Sequence, residues 1–182
     1  DKLLAASPGA TRTALVAAAI TGRKDGDNPH LWYDPPTLPA VAAALAAELQ
    51  KRDPADAAAY QANLKAFDAS LAPVAATVAR LKAAHAGIAV TATEPVFGYM
   101  ATALGFNMLN MDFQLAMMND TEPSPPAVAG FEQSLKSGTA KLLFYNSQVS
   151  DDTTSRLLQL AKDAHVPVVG VTETMPADTT IA

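Results

Sequence analysis

Cysteine is absent from all 182 residues, which removes disulfides, thiolate metal sites and cysteine nucleophiles together. That absence does not by itself separate cytoplasm from periplasm. An excess of basic charge is also missing: 13 Lys and Arg face 18 Asp and Glu, a formal net charge of −5. A nucleic-acid partner therefore has no electrostatic footprint, and no basic run is available to hold anionic lipid. The implied partner is a cation or another protein. The apolar stretches are short, alanine-rich and broken by charge, so none is long enough to span a bilayer. The first residues lack the charged-then-apolar order of a signal peptide, so any targeting segment is expected to have been removed or to lie outside this chain. Both ends look abrupt, DKLLAA at one and TETMPADTTIA at the other, which reads as a fragment or a trimmed chain. Finally, there is no G-x-S-x-G elbow, no H-E-x-x-H, no phosphate loop and no G-x-G-x-x-G, and the enzyme classes built on them lose their support.

What is present is enough apolar content, 49%, for one sizeable core or for one lobe and part of another. After a short opening helix, the compact apolar run 14–20 ends in TGRKDGDNP and suggests a buried strand feeding a polar turn. From Pro36, residues Leu38, Val41, Leu45 and Leu49 recur at helical steps, with Lys51 and Arg52 near the end. Tyr60, Leu64, Phe67, Leu71, Val74, Val78 and Leu81 then continue the same stepping, predicting one long helix over 54–85, bent at Pro73. At about 1.5 Å per residue such a helix reaches roughly 45 Å, longer than a small lobe is wide, so it is expected to run along or between two lobes. Beyond it, short apolar runs at 88–93, 107–109, 141–145 and 166–171 alternate with amphipathic segments at 96–104, 125–135 and 151–164. The predicted architecture is α/β: a C-terminal lobe, 86–182, with a mostly parallel four-stranded sheet flanked by helices. It is preceded by the linking helix, 54–85, and by 1–53 as the tail of a truncated N-terminal lobe.

Ligands of such sheets sit at the carboxyl ends of the strands. Glu94 closes IAVTAT and Glu173 closes VPVVGVT, so the two occupy equivalent positions. Carboxylates at the mouth of a buried sheet are costly to desolvate, and two converging on one cleft ask for a cation between them. A single Glu after a strand also serves the N-terminus of a following helix, as Glu94 before Pro95 would. His30, in NPHLWYDP, is held between Pro29 and the aromatic pair Trp32 and Tyr33. One ring nitrogen can bind metal while the other donates to a carbonyl or carboxylate, although a lone His among aromatics is more often a structural residue. The weight lies on the trio rather than on any member.

The segments NPHLWYDP, TEPVFGYMATALGF, TEPSP and VVGVTETMP resemble, in order and spacing, the cluster A-I solute-binding proteins that deliver zinc, manganese or iron to ABC permeases. The resemblance covers nearly the whole chain. It implies two α/β lobes joined by one long rigid helix, with metal bound in the cleft between them. It also implies His30, Glu94 and Glu173 as metal ligands. Glu94 falls where zinc-type members usually have His and manganese-type members Glu, and Glu173 falls where the family generally has Asp. A further ligand, an early His of the first lobe, is expected upstream of Asp1. His85 and His165 match no family ligand and read as surface or helix-end residues.

The function so implied is capture of a divalent ion and its release to a membrane ABC permease, at the periplasmic or extracytoplasmic surface, by a protein that is monomeric when intact. Two carboxylates with one or two imidazoles suit Mn²⁺ or Fe²⁺, while Zn²⁺ outcompetes Mn²⁺ at almost any N/O site. Three alternatives stand beside this reading: a metal-dependent hydrolase using Glu94 or Glu173 as general base; an adhesion or interaction module using the polar stretch 119–126; and a Cu(I) carrier using Met108, Met111, Met117 and Met118, which otherwise fill irregular space beneath the cleft.

Overall fold

The computed structural model describes residues 13–24, 26–149 and 151–180. The opening segment read as a helix lies outside the described residues. Where the sequence predicts a buried strand over 14–20, the chain forms a short helix, α1 (Ala17–Ile20). Alanine is the strongest helix former, the Ile20 N–H closes on Val16 O at 3.0 Å, and no residue from 13 to 20 is buried. Among the described residues no strand pairs with this segment, and local propensity decides the outcome.

A 3₁₀ turn, Leu31–Tyr33, leads into α2 (Thr37–Arg52), whose last turn sets Lys51 and Arg52 against the negative end of the helix dipole. The single long helix expected next is two helices, α3 (Ala57–Ser70) and α4 (Ala72–His85). The interruption falls at Leu71, which keeps φ −84° and ψ −11°. Pro73, two residues on, has no N–H to offer the carbonyl of Ala69, and its ring crowds the preceding turn. Proline thus ends one helix and begins another rather than only bending a continuous rod.

The expected sheet is present. Its strands are β1 (Ala89–Ala92), β2 (Asn107–Met108), β3 (Leu143–Asn146) and β4 (Val168–Val171), in the order β2-β1-β3-β4 with every adjacent pair parallel. The intervening helices are α5 (Gly98–Ala103), α6 (Met111–Met118), α7 (Pro125–Lys136) and α8 (Asp152–Asp163). Two of these begin at side-chain caps, Ser124 accepting from Ala127 N and Asp151 from Thr154 N. Helix α6 has no counterpart in the sequence reading, because its apolar residues show no one-sided pattern.

Strand alternation assigns the core to two layers. Leu143 packs with Phe113, Phe131, Leu135, Leu157 and Ala161 under α6, α7 and α8. Its neighbour Phe144 faces the other way, into a layer with Val90, Ala92, Val96 and Val171. On that second face Trp32, Tyr33, Phe97 and Phe144 form a continuous ladder of rings, with successive centroids 4.5, 5.2 and 4.5 Å apart. The Tyr33 hydroxyl also accepts from Thr172 N at 3.2 Å. The segment carrying His30 is therefore fastened to the sheet. Because the strands are parallel, the residues that follow β1, β3 and β4 emerge at one edge, which is where the polar groups collect.

Candidate metal centre

His30 is buried, 9% exposed. Its backbone N–H donates to Asn28 Oδ1 at 3.0 Å, and its Nδ1 lies 2.6 Å from the same oxygen. Asn28 Nδ2 donates to Pro95 O at 2.6 Å, so the oxygen of that amide is the end facing His30, and Nδ1 must be the nitrogen bearing the proton. The other nitrogen, Nε2, then keeps its lone pair. Asn28 is seated in turn by Tyr99, whose hydroxyl donates to its carbonyl at 2.8 Å. At Gly98 a Cβ would come 3.1 Å from Asn28 Nδ2, so a side chain there would press on the amide that seats His30. Burial lowers the His30 pKa below the usual imidazole value, partly opposed by the charge of Glu173. Desolvation, the larger effect, favours the neutral ring, while the nearby anion favours the protonated one.

Glu94 ends the turn after β1 and is also only 9% exposed. Burial pushes its carboxyl above the ordinary range; the N–H of Asn146 opposes that, and the charges of Glu173, Asp151 and Asp120 reinforce it. Glu173 follows β4 on an exposed bend. The two carboxylates meet at one residue that sequence reasoning missed. Asn146, the last residue of β3 and 1% exposed, donates through Nδ2 to Glu94 Oε1 at 3.2 Å and to Glu173 Oε1 at 2.7 Å. Bonded to a common nitrogen, the two oxygens can be no farther apart than those two lengths end to end.

The structure thus brings Glu94 and Glu173 together and sets the charge of Glu173 within reach of His30. It does not gather the three into a coordination shell: among the described residues, no three His, Asp or Glu side chains stand close enough to hold one ion. The polar edge carries two carboxylates joined through the amide of Asn146, with a buried imidazole within electrostatic reach of one of them.

Other regions offer less. A groove of about 450 Å³ between α2 and α3, lined by Leu38, Val41, Leu45, Leu49, Leu64 and Phe67, contains no charged group and cannot hold an ion. Met108 packs on one face of the sheet and Met117 on the other, so these two methionines do not share a thioether site. His85 ends α4, and His165 sits exposed in a left-handed turn at φ 56° before β4; neither approaches the polar edge as a ligand would.

The sequence matches the family described as zinc-uptake complex component A, periplasmic (ZnuA), over residues 1–181. The chain belongs to the ZnuA family. That description is of a component of an uptake complex, not of an enzyme, and the hydrolase alternative finds no support. No curated protein matches the sequence. Among solved structures, the laminin-binding adhesin Lmb of Streptococcus agalactiae superposes with a TM-score of 0.66 at 21% identity, covering 84% of this chain and 56% of that one. The periplasmic zinc-binding protein TroA of Treponema pallidum gives a TM-score of 0.63 at 18% identity, with 83% and 56% covered. AdcAII of Streptococcus pneumoniae gives 0.64 at 22%, with 84% and 56% covered. At these identities the ZnuA-like fold is what is shared. The chain spans little more than half the length of these neighbours.

Proposed function

We propose that this chain contributes His30, Glu94 and Glu173 to a site for a divalent transition metal, Mn²⁺ or Zn²⁺ with Fe²⁺ as a further candidate, in a protein that hands the ion to a membrane ABC permease. The observation that carries the reading is the meeting of two strand-end carboxylates on the amide of Asn146, beside a buried imidazole whose tautomer leaves Nε2 free. An ion replaces the repulsion between the carboxylates with attraction and recovers the cost of burying Glu94. The setting is periplasmic or otherwise extracytoplasmic, a reading supported by the word periplasmic in the family description, and the intact protein acts as a monomer.

The chemistry is capture and release. The His30 segment belongs to the first part of the chain, 1–53, and the two carboxylates to the last, 86–182. A shared ion therefore ties those parts together, and the permease reads the tied form. Hard carboxylates favour manganese or iron, while intrinsic affinity and the family description favour zinc. Titration of the full-length protein with Zn²⁺ and with Mn²⁺ against a competing chelator tests the reading. One ion per chain is expected, with affinity reduced by substitution of any of the three ligands; stoichiometric binding unaffected by all three substitutions would refute the assignment.

A further inference from the structure

The residues that follow β3 form a clasp on the segment carrying Glu173. Ser147 N donates to Val171 O at 2.8 Å and its hydroxyl donates to the same oxygen at 3.0 Å. Gln148 Oε1 accepts from Glu173 N at 2.7 Å and from Thr174 N at 3.0 Å, while its Nε2 donates to Thr174 Oγ1 at 2.8 Å. Asn146 completes the clasp by holding the Glu173 side chain itself.

The orientation of the Asn146 amide is dictated by its neighbours. Its Oδ1 accepts from Gln148 N at 3.1 Å, and its backbone N–H donates to Thr93 Oγ1 at 3.3 Å. Flipping the amide would turn its oxygen onto two carboxylates and its NH₂ onto another donor, so the observed orientation alone satisfies every group. Each of its two N–H bonds goes to a different carboxylate, and in both it is Oε1 that accepts. Among the described residues, neither Oε2 has a hydrogen-bond partner.

We infer that Asn146 is a positioning residue for cation capture. It is not a ligand; it holds Glu94 and Glu173 side by side through their Oε1 atoms, so that both Oε2 atoms are presented to one ion. The inference rests on the metal-site reading above and adds a specific role to it. Without the amide, Glu173 has only its backbone held by Gln148, and its exposed side chain is free to swing away from Glu94, whose charge repels it. Ordering of that carboxylate, completed before the ion arrives in the parent protein, would then be charged against binding. Partners of this kind, acting through a ligand rather than on the metal, typically change affinity by about 10- to 100-fold.

The test is a double-substitution cycle on the full-length protein, with Zn²⁺ affinity measured by chelator competition and folding checked by thermal melts. Asn146→Ala should weaken Zn²⁺ binding by at least about tenfold. In a Glu173→Ala background, the same substitution should cost no more than about twofold, because the mobile carboxylate of the pair is gone and Glu94 is also held by its burial; a purely structural role would instead subtract equally in both backgrounds. Equal losses, or a parent-like affinity in Asn146→Ala, would overturn the inference. Should Asn146→Ala fail to fold, Asn146→Ser retains one donor and is expected to bind with intermediate affinity; parent-like affinity there would overturn it as well. Glu94→Gln separates the two levels. If it leaves affinity unchanged, the metal-site reading itself fails; if it weakens binding while Asn146→Ala does not, only the positioning role fails.

Discussion

Glu94→Gln should move stability and metal binding in opposite directions. The parent carboxyl is 9% exposed and its pKa is raised, chiefly by burial. A raised folded-state pKa means that the folded protein holds the proton more tightly than the unfolded chain does. The associated stability is fully present below the ordinary carboxyl value near 4.5 and is lost as pH rises through the higher folded value. At pH 7 the parent therefore carries a penalty that Gln does not. Gln keeps an Oε1 to accept from Asn146, but a bond to a charged acceptor, about 1.5–3 kcal/mol, becomes a neutral one of about 0.5–1.5 kcal/mol. Against that loss of about 1 kcal/mol stands relief from desolvating an ion, several kcal/mol for a well-buried charge. A net gain on the order of 1 kcal/mol corresponds to about 2–4 °C in melting temperature for a chain of this size. Metal affinity should fall by tenfold or more, about 1.4 kcal/mol, which shortens the rise in melting temperature that saturating Zn²⁺ produces. Melts of the metal-free and metal-saturated forms at pH 7 and pH 4 measure all of this, and the metal-free gain should vanish at pH 4. A variant that melts below the parent without metal at pH 7, or that binds Zn²⁺ as tightly, refutes the reasoning.

His30 supplies the complementary case. Its folded-state pKa is lowered by burial, so the native state loses stability as pH falls through the usual imidazole value of 6.5. His30→Gln should flatten the dependence of metal-free melting temperature on pH between about 7 and 5.5, while weakening Zn²⁺ binding; an unchanged slope would count against a buried neutral ring. Phe131 is fully buried, with its ring 4.5 Å from that of Phe113. Phe131→Ala should cost about 3–5 kcal/mol in denaturant unfolding, and a loss below about 1 kcal/mol would show that this layer is not the packed core.

The sheet and the positions of Glu94 and Glu173 were legible because the repeated alternation of short apolar runs with amphipathic segments describes parallel strands joined by helices, and a polar residue closing such a run falls at the carboxyl edge of the sheet. The choice of His30 as a ligand rested on the trio and on the family resemblance, whereas its buried, fixed setting was legible from its Pro and aromatic neighbours. Asn146 was not: an asparagine before Ser147 and Gln148 reads as an ordinary turn, and its role depends on two residues brought from other strands, 52 and 27 positions away. Nor was the break at Leu71, since Leu71 and Val74 keep the helical spacing while Pro73 removes a backbone bond that spacing does not report. At 14–20 the apolar run suited either a strand or a helix, and burial, which the run cannot reveal, is what the strand lacked.

The ladder of rings also equips this chain with its own reporter. Trp32 is the only tryptophan in the chain, two positions from His30 and stacked at a tilt on Tyr33. Its emission therefore comes from one place, and any rearrangement of the His30 segment when an ion arrives can be followed in real time by stopped-flow fluorescence, with no dye attached.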